Sequence, residues 1–147
     1  MRGRLPDLDA NLLAYVALTL LMLVAVADWL APVPPAGAGC GPGYVYDGDT
    51  VEMICPDATG TARLIGLDTP ELKGRCPEEI RAAEAARRHL AALVKAAGER
   101  RIEIAGRDKY GRALIRLWLD GRDAAALMLA AGHGRPYHGE RRAGWCG

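Results

Sequence analysis

The hydrophobic positions of this chain fall into one continuous block followed by short alternating segments. Residues 12–27 are almost entirely apolar, and Trp29 extends the block beyond Asp28. Such a block is long for the core of a signal peptide and short for a membrane span. We therefore predict a signal peptide or an N-terminal transmembrane anchor over residues 1–30. A retained anchor is slightly favoured because Trp29 suits a membrane interface, although Ala25-Val26-Ala27 could be a cleavage site.

The region after this block changes composition abruptly. Residues 31–42 are rich in proline, glycine and alanine, which is typical of a linker. Residues 43–147 are then assigned to one folded domain of ordinary size. Because Arg2 and Arg4 precede the apolar block, the domain is expected on the outer side of the membrane. The predicted location is therefore periplasmic or otherwise extracytoplasmic, either membrane-anchored or secreted.

Within the domain, the apolar positions predict five strands and two helices. The strands are expected at residues 45–46, 51–55, 62–67, 102–104 and 113–119. Turn residues separate the first three strands, which predicts an antiparallel meander. A helix is expected from Pro77 to Gly98, because proline and glutamates open it and apolar residues recur at helical spacing. A shorter helix is expected over residues 124–131, so the fold class is α+β.

Composition adds little to this picture. The chain has 147 residues, half of them hydrophobic, and a formal net charge of +1. The length suits one domain with one modest core. A nearly balanced charge does not by itself support nucleic-acid binding, so any such function depends on where the cations lie.

The four cysteines predict two disulfide bonds if the chain is exported. Their number alone does not decide the pairing. A turn at Asp47-Gly48-Asp49 places Cys40 and Cys55 at similar distances from the turn on opposite strands, within bonding reach. Cys76 would then pair with Cys146 and tie the C-terminal tail to the loop after Glu71. A zinc site is disfavoured because the cysteines show no C-x-x-C spacing and no neighbouring histidines.

Acidic residues cluster unusually densely in the first strands and turns. Asp47, Asp49, Asp68 and Glu71 lie within 25 residues of one another, with Arg63 among them. Carboxylates held close together repel one another unless a metal ion or an arginine neutralises them. Oxygen ligands from separate strands suit calcium or magnesium better than zinc. A pair of ordinary hairpin-turn acids is the alternative explanation for Asp47 and Asp49 taken alone.

The same residues belong to a wider set of motifs in a fixed order. These are Asp47-Gly48-Asp49-Thr50, Arg63, Asp68-Thr69-Pro70-Glu71 and Asp108-Lys109-Tyr110-Gly111-Arg112. In order and spacing they resemble the motif set of the staphylococcal nuclease (thermonuclease) family, over about residues 43–137. The resemblance implies an OB-fold, a five-stranded barrel with two or three flanking helices, here preceded by one N-terminal hydrophobic helix. It also implies calcium-dependent hydrolysis of DNA and RNA with little sequence specificity.

The resemblance further implies a role for each acidic residue. Asp49 and Asp68 would bind Ca²⁺ together with the carbonyl oxygen of Thr69. Asp47 is expected to act at longer range, through water, because in an extended strand it would share a face with Asp49. Glu71 is the candidate that orients or deprotonates the attacking water.

The basic and aromatic residues are expected to bind the substrate. Arg63 and Arg112 would each hold the phosphate through the paired hydrogen bonds that a guanidinium group offers. Lys109, Tyr110 and Tyr137 would contact the nucleotide, because aromatic faces with nearby cations suit single-stranded nucleic acid. No organic cofactor is expected, and the protein is expected to be monomeric.

Two other functions are alternatives to a nuclease. The same fold also serves in non-catalytic modules that bind nucleic acid or protein, here in the cell envelope. A membrane-tethered domain that binds a partner protein would need a large exposed apolar patch, and no run after Gly43 predicts one. The enzyme is favoured because every acid and arginine of the motif set is present. His89, His133 and His138 have no place in this chemistry and are expected at the surface.

Overall fold

The computed structural model describes residues 9–30 and 38–146, so residues 1–8, most of the predicted linker and Gly147 lie outside the described residues. The chain divides into two compact units, Met1–Pro34 and Pro35–Gly147. In the first unit, Ala10–Leu30 forms helix α1, whose 21 residues are all exposed. This helix is long and apolar enough to cross a membrane, a property that a signal sequence shares.

The second unit is a mixed α+β domain, as predicted. Its elements are β1 Gly41–Val45, β2 Thr50–Ile54, β3 Thr59–Leu64, β4 Gly66–Asp68, α2 Pro77–Ala96, β5 Arg100–Arg107, β6 Ala113–Leu119, β7 Arg122–Asp123, α3 Ala124–Ala130 and β8 Arg135–Tyr137.

The main sheet has the strand order β1-β2-β3-β6-β5. β1, β2 and β3 form the predicted antiparallel meander, β3 pairs with β6 in parallel, and β6 pairs with β5 antiparallel. β1 also contacts β5, so the sheet curls toward closure. These five strands and the flanking helices agree with the expected OB-type barrel.

Buried residues follow the period of each element. In β6, Ala113, Ile115, Leu117 and Leu119 are buried and alternate with less buried positions. In α2 the buried stripe comprises Glu79, Ala83, Ala86, Leu90 and Val94. The core therefore lies between the concave face of the sheet and one face of α2.

The boundaries differ from the sequence expectations in several places. The predicted strand over residues 62–67 is two strands, β3 and β4, which are separated at Ile65. Asp47 lies in the turn between β1 and β2 and not in an extended strand. β7 and β8 were not predicted because two or three residues are too few to show a period. Ile80 is one of the apolar residues at helical spacing in α2, but it is 36% exposed and does not belong to the buried stripe.

Candidate active site

The turn between β1 and β2 places Asp49 inside the domain. Asp47 Oδ1 accepts a hydrogen bond of 3.0 Å from the Asp49 backbone N–H, which closes the turn. Asp49 itself is 3% exposed. Its Oδ2 accepts a hydrogen bond of 3.3 Å from the Thr69 backbone N–H. Two loops that are 20 residues apart in sequence therefore meet at one carboxylate.

Arg63 lies opposite Thr50 in the β2–β3 register and points into the same region. Its Nη1 lies 2.6 Å from Asp49 Oδ1. Its Nη2 donates to the Leu67 carbonyl at 3.2 Å and lies 3.7 Å from Asp68 Oδ1. One buried guanidinium group thus bridges the two predicted metal ligands.

Asp68 ends β4 and is 1% exposed. Its Oδ2 accepts two hydrogen bonds from Arg135 of β8, at 3.0 and 2.8 Å. Its Oδ1 has no hydrogen-bond donor among the described residues, although Arg142 Nε lies 3.1 Å away. Arg142 Nη1 also lies 2.6 Å from Glu71 Oε1, so one tail arginine contacts both acids.

The turn before β6 presents Arg112. Asp108 Oδ1 accepts from the backbone N–H groups of Tyr110 and Arg112, and Oδ2 accepts from Arg112 Nε at 2.8 Å. Burial opposes the charge of Asp108, but these hydrogen bonds hold its pKa below the usual value. Tyr110 is 73% exposed, and the Lys109 ammonium group lies 5.0 Å from the centre of its ring.

Many of these residues line a common cleft of about 680 Å³, but the buried Asp49 and Asp68 are not among the residues of its walls. Its walls comprise Asp47, Thr50, Arg63, Glu71, Asp108, Lys109, Tyr110, Arg112, Leu114, Tyr137, Gly139, Glu140 and Arg142. Both predicted phosphate-binding arginines therefore open onto the same space as Glu71. A second, more apolar cleft of about 540 Å³ shares Arg63, Leu114 and Tyr137 with the first.

The charged groups in and beside the cleft change one another's pKa values. Burial raises the pKa of Asp49 to about 6, although Arg63 opposes the shift. Burial also works against the charge of Arg142, but Asp68, Asp49 and Glu71 hold its pKa above the usual value. The charged form of Asp49 is therefore favoured by the Arg63 guanidinium beside it.

The carboxylates fit the hard cation that the sequence predicts. Asp68 Oδ1 is an oxygen that is shielded from water and lacks a hydrogen-bond donor, and a buried acceptor of this kind is costly unless a cation satisfies it. Burial raises the pKa of Asp49, so an adjacent cation would favour its charged form. Oxygen ligands alone suit calcium or magnesium.

The structure contains both disulfide bonds that the sequence predicts. Cys40–Cys55 joins the chain on either side of the β1–β2 hairpin, and Cys76–Cys146 joins the loop before α2 to the C-terminal tail. His138 is exposed as expected, but His89 and His133 are half-buried, with ring centres 4.5 Å apart. The expectation of surface positions is therefore met fully by His138 and in part by the other two.

Sequence reasoning did not find two residues of the site. Arg135 and Arg142 belong to none of the predicted motifs, yet both lie against Asp68. The predicted Cys76–Cys146 bond was the available signal, because it brings the tail close to Glu71.

The curled sheet and this cleft define an OB-type domain with a polar site rich in carboxylates and guanidinium groups. Residues 61–143 match the family model described as staphylococcal nuclease homologue, and the chain belongs to that family. No protein with a curated description matches the chain.

Proposed function

We propose that residues 43–147 form a calcium-dependent nuclease domain that hydrolyses phosphodiester bonds in DNA and RNA with little sequence specificity. The observation that carries this proposal is the cleft itself, onto which Arg63, Arg112 and Glu71 open beside the acids of the β1–β2 turn and β4. Phosphodiester hydrolysis needs phosphate neutralisation, an activated water and a stabilised leaving oxygen. The side chains of this cleft can supply all three.

In the proposed mechanism, Arg63 and Arg112 bind the scissile phosphate and stabilise the charge that builds up on its oxygens. Asp108 supports this role because its hydrogen bonds fix the Arg112 side chain. Glu71, whose side chain is 54% exposed, orients a water in the cleft or takes its proton.

Asp49, Asp68 and the Thr69 carbonyl would hold the calcium ion, with Asp47 acting through water. The bound ion would neutralise phosphate charge and lower the pKa of a nearby water. The chain's contribution is a buried oxygen cluster, assembled by the Thr69 N–H bond to Asp49 and by Arg63 between the two aspartates.

The surroundings of the cleft suit a polynucleotide chain. Tyr110 is an exposed ring beside Lys109 and Arg112, and Tyr137 lies between Arg63 and Arg142. Aromatic faces with adjacent cations bind unpaired bases with little preference for sequence. The neighbouring apolar cleft, which shares Tyr137, can accept a base next to the phosphate.

The experiment compares cleavage of denatured DNA by the full-length chain in detergent with cleavage by Glu71→Gln and Arg112→Ala variants. Each substitution should reduce the rate about 100-fold or more, because it removes transition-state stabilisation while leaving the exposed surroundings intact. Glu84→Gln and Arg101→Ala change exposed residues outside the cleft and serve as matched controls.

Chelation by EGTA should stop the wild-type reaction, and added calcium should restore it. Full activity in EGTA would remove calcium from the proposal. Wild-type rates in both site variants would refute the catalytic assignment. Binding of DNA without cleavage under all conditions would favour the non-catalytic module.

A further inference from the structure

The C-terminal residues 140–146, here called the strap, are fastened across one side of the cleft. The Cys76–Cys146 disulfide joins the strap to the loop before α2. Arg135 donates hydrogen bonds to the carbonyls of Ala143 and Gly144, and its guanidinium carbon lies 4.2 Å from the centre of the Trp145 ring. The strap is therefore held at several points by contacts that do not involve the acids of the site.

This tether delivers Arg142 to the acids. Its Nε lies 3.1 Å from Asp68 Oδ1 and its Nη1 lies 2.6 Å from Glu71 Oε1. The same guanidinium group lies 5.6 Å from the centre of the Tyr137 ring. A predicted metal ligand and the predicted water-activating residue therefore share one positive group.

Arg142 forms an ion pair with Asp68 but does not donate a hydrogen bond to it. Asp68 Oδ1 has no hydrogen bond among the described residues despite the short distance to Arg142. Asp68 Oδ2, in contrast, is fully engaged by Arg135. The Arg142 side chain is 37% exposed, so it can move toward solvent without opening the core. Oδ1 is thus the acceptor that a bound cation would take over.

We propose that Arg142 is a built-in counter-cation that a divalent ion must displace from Asp68, so that the strap sets the metal affinity of the site. Arg142 Nε lies 3.1 Å from Asp68 Oδ1, closer than Arg63 Nη2 at 3.7 Å, so a divalent ion on that oxygen is repelled most strongly by Arg142. This inference rests on the proposed function only in requiring that the acids bind a divalent ion. It does not require that the protein cleaves nucleic acid.

The test measures calcium binding by titration calorimetry on the full-length chain in detergent. Arg142→Gln removes the competing charge and should tighten calcium binding about fivefold or more, in the usual range of coupling between two sites. Arg141→Gln is the matched control, because it removes an equal charge from the exposed neighbouring position. Its effect should be clearly smaller, since net charge alone acts weakly through screened solvent.

A second variant tests the tether without changing Arg142. Replacement of both Cys76 and Cys146 by serine removes the covalent attachment of the strap and leaves its contacts with Arg135, so calcium affinity should shift in the same direction as in Arg142→Gln. Thermal unfolding of each variant establishes that it is folded, and if Arg142→Gln does not fold, the cysteine variant decides the question. Unchanged or weaker calcium binding in the folded variants would overturn the proposal, as would the absence of calcium binding in both wild type and variants.

This design separates two failures. Tighter calcium binding in Arg142→Gln without any cleavage of nucleic acid would support the strap proposal and refute the nuclease. Calcium-dependent cleavage with equal calcium affinity in all variants would support the nuclease and refute the strap proposal.

Discussion

At the scale of single residues, one glycine allows the β1–β2 turn to pack closely against its neighbours. Gly48 lies in the β1–β2 turn, where an added Cβ would be 2.8 Å from the Ala86 Cβ and 2.9 Å from the Thr69 Cβ. These neighbours are short, fixed side chains that cannot swing away. The missing side chain therefore lets the turn lie directly against α2 and the loop after β4, where Asp49 meets the Thr69 N–H.

We expect Gly48→Ala to destabilise the protein by about 1–3 kcal/mol, the usual cost of overpacking. Denaturant unfolding of the full-length chain in detergent measures the free energy of unfolding. Gly60→Ala in β3 is the control, because an added Cβ there meets no atom within 4 Å. Equal stability of the two variants would contradict the close packing inferred for Gly48.

The residues that sequence reasoning could and could not find differ in how their contacts arise. Asp49, Arg63 and Asp68 stand in motifs that resemble those of the family, and that resemblance predicted that they would gather. Arg135 and Arg142 reach Asp68 across 67 and 74 positions of sequence. Those contacts depend on the β4–β8 pair and on the Cys76–Cys146 bond. The hydrophobic pattern does not predict the strand pair, and the predicted disulfide does not indicate which side chain of the tail would reach Asp68.

At the scale of elements, the first turn of α2 holds the loop that carries Glu71 in place. Glu79 is 7% exposed and its carboxylate accepts hydrogen bonds from the backbone N–H of Arg75 at 2.8 Å and of Glu71 at 3.5 Å. Gly74 packs closely on the same side chain. The helix therefore fixes the loop that carries Glu71, although Glu79 does not line the main cleft.

We expect Glu79→Ala to cost about 1–3 kcal/mol of stability, because it leaves backbone donors of the loop without partners. Cleavage should also slow, since Glu71 loses its support. Glu78→Ala is the matched control, as the Glu78 side chain is 68% exposed and pairs only with Arg81 among the described residues. Unfolding curves and cleavage rates measure both effects, and equal behaviour of the two variants would rule out this role of Glu79.

The length of an element decides how well a pattern predicts it. β6 matches its expected range of 113–119, because seven residues with alternating burial define a period. α2 was predicted nearly whole for the same reason. β4 and β8 have three residues each, and their pairing, with Asp68 opposite Arg135, is stabilised by tertiary contacts that a single segment cannot reveal.

At the scale of the whole molecule, the two disulfides and α1 are compatible with an extracytoplasmic or membrane-anchored protein. Disulfides persist in oxidising compartments, and Cys76–Cys146 in particular fastens part of the site. An apolar helix of 21 residues spans about 30 Å, close to the thickness of a bilayer core. We propose that residues 1–30 anchor the chain and that the domain faces the oxidising side.

Retention of this anchor can be measured directly. We expect the mature protein to remain in the membrane fraction after alkaline carbonate washing, because α1 is long and apolar enough to span a bilayer and none of its residues is buried. The intact mass should include residues 1–30. A mature chain that begins after Ala27 and stays soluble would instead identify a cleaved signal peptide. Placing charge in the middle of the helix, as in Leu20→Arg with Val24→Arg, should abolish membrane retention because each arginine costs about 2.5–3.5 kcal/mol there.

Both pairs of cysteines should remain oxidised in the retained protein, and free thiols at Cys76 and Cys146 would place the domain on the reducing side of the membrane.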